Sequence, residues 1–183
     1  MRMMIMLSIC CLLAMNVVAQ DLDQKQLVTV PFVDLNRYAG TWYEIARLPN
    51  RFQNKCSGDV TATYTLLDGG DIKVVNRCRQ EDGEFTAAEG LARLAAEDRS
   101  NTKLKVRFAP ALLSFLPFVW GDYWIIDLGA DYDYAVVGEP GREYLWVLSR
   151  SPVMDDSTLV AILERARKQG YDTTQIVRTT HTQ

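Results

Sequence analysis

Asn36-Arg37-Tyr38-Ala39-Gly40-Thr41-Trp42-Tyr43-Glu44-Ile45-Ala46-Arg47 is the stretch whose reading decides the fold. A turn-like segment runs into Gly40, and the residues after it are the aromatic and β-branched types that favour strands. Gly40 has no side chain, so a bulky neighbour can close over it. Trp42 is then the first large inward side chain, sized to plug one end of a β-structure. Taken alone, the same stretch also suits an edge strand with a packed tryptophan.

Working outward, short strands and turns alternate. The strand from Gly40 ends at Pro49-Asn50, and a loop carries the chain to Cys56. Val60 to Leu66 and Ile72 to Cys78 flank Asp68-Gly69-Gly70, a hairpin turn whose glycines accept positive φ. Glu81-Asp82-Gly83 turns into a longer strand, Phe85 to Leu94. Lys103 to Phe108 alternates with Leu104, Val106 and Phe108 on one face. Asp122 to Asp127, Tyr134 to Val137 and Tyr144 to Leu148 bring the count to about eight strands, with a turn roughly every ten residues. That spacing predicts an antiparallel sandwich or barrel. One helix follows: Asp155, Asp156 and Ser157 open it, Leu159, Ile162, Leu163 and Ala166 share a face, and Gly170 stops it.

Composition excludes several functions. The chain of 183 residues has a net charge of −3, so it lacks the basic excess that nucleic-acid binding needs. Its one histidine, His181, is the third residue from the end. Histidine-based triads, haem ligation and most zinc sites need one inside the fold, so no metal and no cofactor are expected. Met1-Arg2, the apolar run to Ala14 and the small residue Ala19 read as an export leader cleaved after Ala19. Cys10 and Cys11 lie too early, and in the wrong context, for a lipid-attachment site. The expected organisation is a leader over 1–19, a loose arm over 20–33 and one domain over 34–183, exported to the periplasm or outside the cell, with outer-membrane association left open.

Gly40-Thr41-Trp42-Tyr43-Glu44-Ile45-Ala46 resembles the first signature of the lipocalins, in the form shared by bacterial outer-membrane lipocalins, apolipoprotein D and plant temperature-induced lipocalins. Asp131-Tyr132-Asp133-Tyr134-Ala135-Val136-Val137 resembles the second signature, and Leu145-Trp146-Val147-Leu148-Ser149-Arg150 the third. The resemblance runs over residues 34–178. It implies an all-β fold, an eight-stranded up-and-down antiparallel barrel with one C-terminal helix packed outside. It also implies that Arg150 lies across the face of Trp42.

With Trp42 at the closed end, strand alternation anchored on the family pattern turns a set of side chains inward. The candidate ligand-binding residues are Glu44, Ala62, Tyr64, Val74, Asn76, Ala88, Gly90, Val106, Phe108, Tyr123, Ile125, Val137, Tyr144 and Trp146; Ala46 shares their parity. Many are small, which leaves room, whereas a filled barrel would use larger aliphatic residues. Aromatic rings beside a few polar atoms suit a ligand with a long apolar part and a polar part. The expected ligand is a fatty acid, a lysophospholipid or a similar amphiphile, bound for transport or storage, and an ionised Glu44 would disfavour a free carboxylate.

Two features keep other functions in view. The loop Leu112-Leu113-Ser114-Phe115-Leu116-Pro117-Phe118 falls at the mouth, where it contacts a membrane or partner or else folds over the lip. Cys56 and Cys78 are the only cysteines left after export, and an oxidising compartment predicts a disulfide between them. Because Cys56 has no strict partner across the Gly69-Gly70 turn at Cys78, the loop before the strand must bend back. A free thiol instead would support a lipid-modifying enzyme, as found among some lipocalins; the disulfide removes that nucleophile, and the chain reads as a non-enzyme. Monomer and homodimer both remain open.

Overall fold

A computed structural model describes residues 26–96 and 98–182. The expected leader, its cleavage after Ala19, and Cys10 and Cys11 lie outside the described residues. Eight strands form the wall: β1 (Gly40–Arg47), β2 (Gly58–Leu66), β3 (Ile72–Arg79), β4 (Phe85–Leu94), β5 (Lys103–Arg107), β6 (Gly121–Leu128), β7 (Tyr134–Gly138) and β8 (Leu145–Ser149). Each pairs antiparallel with the next, β8 pairs back onto β1, and β1 onto β2, so the sheet closes into a barrel. A one-turn helix α1 (Leu35–Tyr38) leads into β1, α2 (Asp156–Lys168) lies outside, and a short β9 (Val177–Arg178) follows.

Two apolar clusters divide the molecule. Trp42, Ile72, Val74, Leu104, Ile125, Val137 and Leu148 fill the inside of the closed end. Ile45, Ile126, Val136, Leu145 and Val147 point outward and pack against Leu159, Ile162 and Ala166 of α2. Arg165 ties the helix to the wall through Asp127 at 2.6 Å, and Gly170 at φ +94° ends the turn after it. The stretch expected as a loose arm is packed over 26–33. Val33 is buried inside, Leu27 outside, and Val30 N–H donates to the Ile125 carbonyl.

β1 changes partners along its length. Its closed-end half, Gly40–Tyr43, pairs with Tyr64–Thr61 of β2, whereas Ala46 and Arg47 pair with β9. The tail then runs between the two strands. Thr179 N–H donates to the Ile45 carbonyl on one side, and Asp59 N–H donates to the Thr180 carbonyl on the other. The C-terminal segment is thus an extra stave that closes the seam at the mouth. A bulge between Glu44 and Ala46 accompanies the switch and reverses the alternation. Ala46 therefore joins Ile45 in the outer cluster instead of facing inward, and Arg47 comes opposite Trp146.

Candidate functional site

The closed end is plugged as expected. Trp42 is fully buried, and the Arg150 guanidinium lies 3.7 Å from its ring centre. Arg150 also donates to the carbonyls of Arg37, Tyr38, Ala39 and Thr41 at 2.7 to 3.1 Å, which fixes the turn into Gly40. Gly40 sits at φ +98° with Arg150 against it, which a side chain would crowd. Tyr132 accepts a hydrogen bond from Asp34 N–H at 2.8 Å and takes Arg37 over its ring; Asp131 is exposed.

Above the plug, three tyrosines fill the floor. Tyr38 and Tyr123 hydroxyls are 2.7 Å apart, and Tyr123 donates to Tyr64 at 2.9 Å. Burial pushes the Tyr64 phenol up to about 12, and those of Tyr38 and Tyr123 well above their ordinary value, so all three stay neutral. The enclosed cavity beside them holds about 10 Å³, room for one water at most. Four of the expected ligand contacts, Tyr64, Val74, Ile125 and Val137, are thus buried packing of this floor. Val106 and Tyr123 pack against the same floor and are partly covered.

The mouth half is different. Ala62, Asn76 and Ala88 stand side by side across β2, β3 and β4, one step above Tyr64, Val74 and Gly90 in the same register. They share the parity of the buried floor residues, yet Asn76 and Ala88 are exposed and Ala62 only partly covered. Tyr144 and Trp146 stack at 5.9 Å on the opposite wall, and Phe52 meets Tyr144 at 5.5 Å. The register therefore sets Ala62, Asn76, Ala88 and Gly90 together on the mouth half of one wall, with Tyr144 and Trp146 on the wall opposite. Gly90 is a special case. A Cβ there would lie 2.8 Å from the Arg107 carbonyl and from the Phe108 ring, so Phe108 lies over the glycine and is itself 43% exposed.

Glu44 anchors a polar network rather than facing that space freely. It accepts from Gln53 Nε2 at 2.6 Å and from the Thr179 hydroxyl, and pairs with Arg47 Nε at 3.3 Å. Burial raises the Glu44 pKa, and these partners oppose the rise. Gln53 Oε1 in turn accepts from Trp146 Nε1 at 2.9 Å and Asn50 Nδ2 at 2.8 Å. The loop after β1 is thereby folded over the indole and tied to the tail. His181 Nε2 lies 2.8 Å from the Glu44 carbonyl. Asp59, at φ +51° in a bulge of β2, takes Arg79 at 2.6 Å and the amide and hydroxyl of Thr182. Burial pushes Asp59 up, but these donors outweigh it and hold the carboxyl at about 2. Sequence periodicity missed Arg47, Gln53 and Thr179; they lie past a bulge, in a loop and in the tail.

Cys56 and Cys78 form the expected disulfide, with Cα atoms 5.6 Å apart. The bulge at Asp59 shifts β2 by one residue against β3, and Ser57 N–H donates to the Arg79 carbonyl, so the loop does bend back. No free thiol remains among the described residues. The apolar loop projects from the mouth, with Leu112 83%, Phe115 76% and Phe118 80% exposed. Leu116 is partly covered, and Leu113 is at the edge of exposure.

A closed eight-stranded barrel, plugged by tryptophan under arginine, with an outer helix and an open aromatic mouth, defines the lipocalin class. The chain belongs to that family: residues 33–181 match the lipocalin-like domain. It is 40% identical over 158 residues to temperature-induced lipocalin-1 of Arabidopsis thaliana, covering 86% of this chain and 84% of that one. It is 39% identical over 154 residues to the outer membrane lipoprotein Blc of Citrobacter freundii, covering 84% and 82%. Insecticyanin from Manduca sexta has the same fold, with a TM-score of 0.65 at 21% identity over 86% of this chain and 85% of that one. Members of the family bind small hydrophobic ligands.

Proposed function

We propose that the chain binds one amphiphile with a long acyl chain, a fatty acid or a lysophospholipid, and carries or stores it as a non-enzymatic binding protein outside the cytoplasm. The observation that carries this reading is the mouth half of the inner wall. Small side chains at Ala62 and Ala88, with Gly90 beneath Phe108, lie on the wall opposite the stacked Tyr144 and Trp146, above a floor that is already packed, and Ala88 stays exposed. An acyl chain laid there leaves water at about 0.8 kcal/mol per CH₂, and ordering costs bring the net affinity toward the micromolar range. Glu44 is held by Arg47, Gln53 and Thr179, so its role is to fix the lid loop and tail around the ligand. Titration with palmitate and with palmitoyl-lysophospholipid, followed by tryptophan fluorescence in wild type and in Trp146→Phe, tests the reading. A saturable change in wild type that is lost in Trp146→Phe supports it; no binding of either lipid refutes it.

The outer-membrane name of one relative and the exposed Leu112, Phe115 and Phe118 favour a second role for the mouth loop, contact with a membrane surface. Flotation with phospholipid vesicles is expected for the wild type and lost in a Leu112→Ser/Phe115→Ser/Phe118→Ser variant. Equal flotation of both would exclude the loop.

A further inference from the structure

Arg107 is the last residue of β5 and the place where the barrel wall parts. The β4–β5 ladder starts at Leu91↔Arg107, so among the described residues Phe85 to Gly90 of β4 have no partner strand on that side. The parting leaves a groove of about 340 Å³ between the free edge of β4 and the segment from Arg107 to Pro110. Arg107 lines it and is only 7% exposed. One amino group donates to the Ala109 carbonyl, and the guanidinium lies 5.2 Å from the Trp120 ring, over which Arg93 also lies at 4.0 Å. Arg107 Nε has no acceptor, and no carboxylate pairs with the side chain among the described residues. Glu89, which also lines the groove, is engaged by Lys73 at 3.0 Å.

A buried cation with an orphan N–H is costly unless an acceptor meets it. The chain has a net charge of −3, so this cation is not part of a general basic excess. Gly90, which lines the groove, has the parity of the inner wall, and the half-exposed Phe108 ring lies across it.

Building on the acyl-chain reading above, we infer that this groove seats the acidic head group of the ligand, a carboxylate or a phosphate monoester. Arg107 holds the head group at the groove, and the acyl chain passes beneath Phe108 into the mouth. A planar guanidinium matches the paired oxygens of either group, and a neutral hydroxyl offers no such match. Glu44, neutralised by its own partners on the far wall, does not oppose it.

The test compares palmitate, hexadecyl phosphate and hexadecanol, which share one chain, by calorimetric titration of the full chain. Wild type is expected to bind the two acids about tenfold or more tighter than the alcohol, as a charge-assisted bond implies. Arg107→Gln should bring the acids down to the level of the alcohol and leave hexadecanol unchanged. Arg107→Lys keeps the charge without the fork and should fall between. Far-UV circular dichroism checks that both variants fold. If Arg107→Gln does not fold, Arg107→Lys and Phe108→Ala decide: the first must weaken the acids alone, the second must speed their release. An acid preference that is undiminished in the Arg107 variants, or hexadecanol binding as well as palmitate to wild type, overturns the inference while leaving the acyl-chain reading intact. Failure of all three to bind overturns that reading as well. Inorganic phosphate binding through Arg107 with no preference among the three amphiphiles would make the groove a free-anion site and refute the head-group assignment.

Discussion

Arg150→Ala should unfasten the closed end. The side chain covers fully buried Trp42 and donates to four carbonyls of the α1–β1 turn. The bonds to Arg37 and Thr41 are solvent-exposed, so water replaces them at little cost. Those to Tyr38 and Ala39 are part-buried, and each is worth about 1 kcal/mol. The cation over the indole adds about 1 kcal/mol, for a total near 3 kcal/mol. In a domain of this size that lowers the midpoint of thermal unfolding by about 6–12 °C. Urea and thermal unfolding followed by circular dichroism measure it, and Arg150→Lys, which keeps the cation but not the fork, should fall between. A loss under about 1 kcal/mol, with unchanged amide exchange in α1, would show that the closed end is held by something else.

Other consequences are as specific. Gly58→Ala places a Cβ 2.6 Å from the Thr180 carbonyl, so the tail must shift; amide exchange over 177–182 should rise and stability fall by about 1–3 kcal/mol. Replacing Cys56 and Cys78 by serine opens a loop of 22 residues and should cost about 3 kcal/mol in chemical unfolding, with the barrel intact at low temperature. Asp59 has a folded pKa of about 2 against an ordinary 3.8, so its stabilisation is full above the higher value and is lost as pH falls through the lower. Discounted for partial solvent access, that is about 1 kcal/mol, and Asp59→Asn should flatten stability between about pH 4 and 2.

Much of this was legible because local chemistry and fold agree. Gly40, Trp42 and Arg150 mark the plug, the turn residues set the strand count, and α2 shows its buried stripe. The row Ala62, Ala88 and Gly90 follows from period-two alternation. What alternation could not show is where it breaks. The bulge after Glu44 turns Ala46 outward and Arg47 inward, and no residue type announces it. β9 is only two residues long, and its place between β1 and β2 depends on Asp59 and Glu44, distant in sequence. Tyr38 reads as part of a turn but fills the floor, because the turn folds beneath the barrel. Residues 26–33 are mostly apolar but too short a run to show which of them are covered; Leu27 and Val33 are buried by tertiary contacts, while Val28 and Phe32 stay exposed. Phe108 sits one residue beyond its strand, so parity alone did not show that it covers Gly90.

The most direct test of the central claim fills the mouth from its small-residue wall. Gly90 is unsuitable, since any side chain there meets backbone, whereas Ala88 is exposed and has the same parity. Calorimetric titration of palmitate and palmitoyl-lysophospholipid should give one saturable site in wild type, in the micromolar range, and a loss of at least about tenfold in Ala88→Trp with unchanged unfolding. Binding to Ala88→Trp as tight as to wild type would contradict the account and place the ligand outside the barrel.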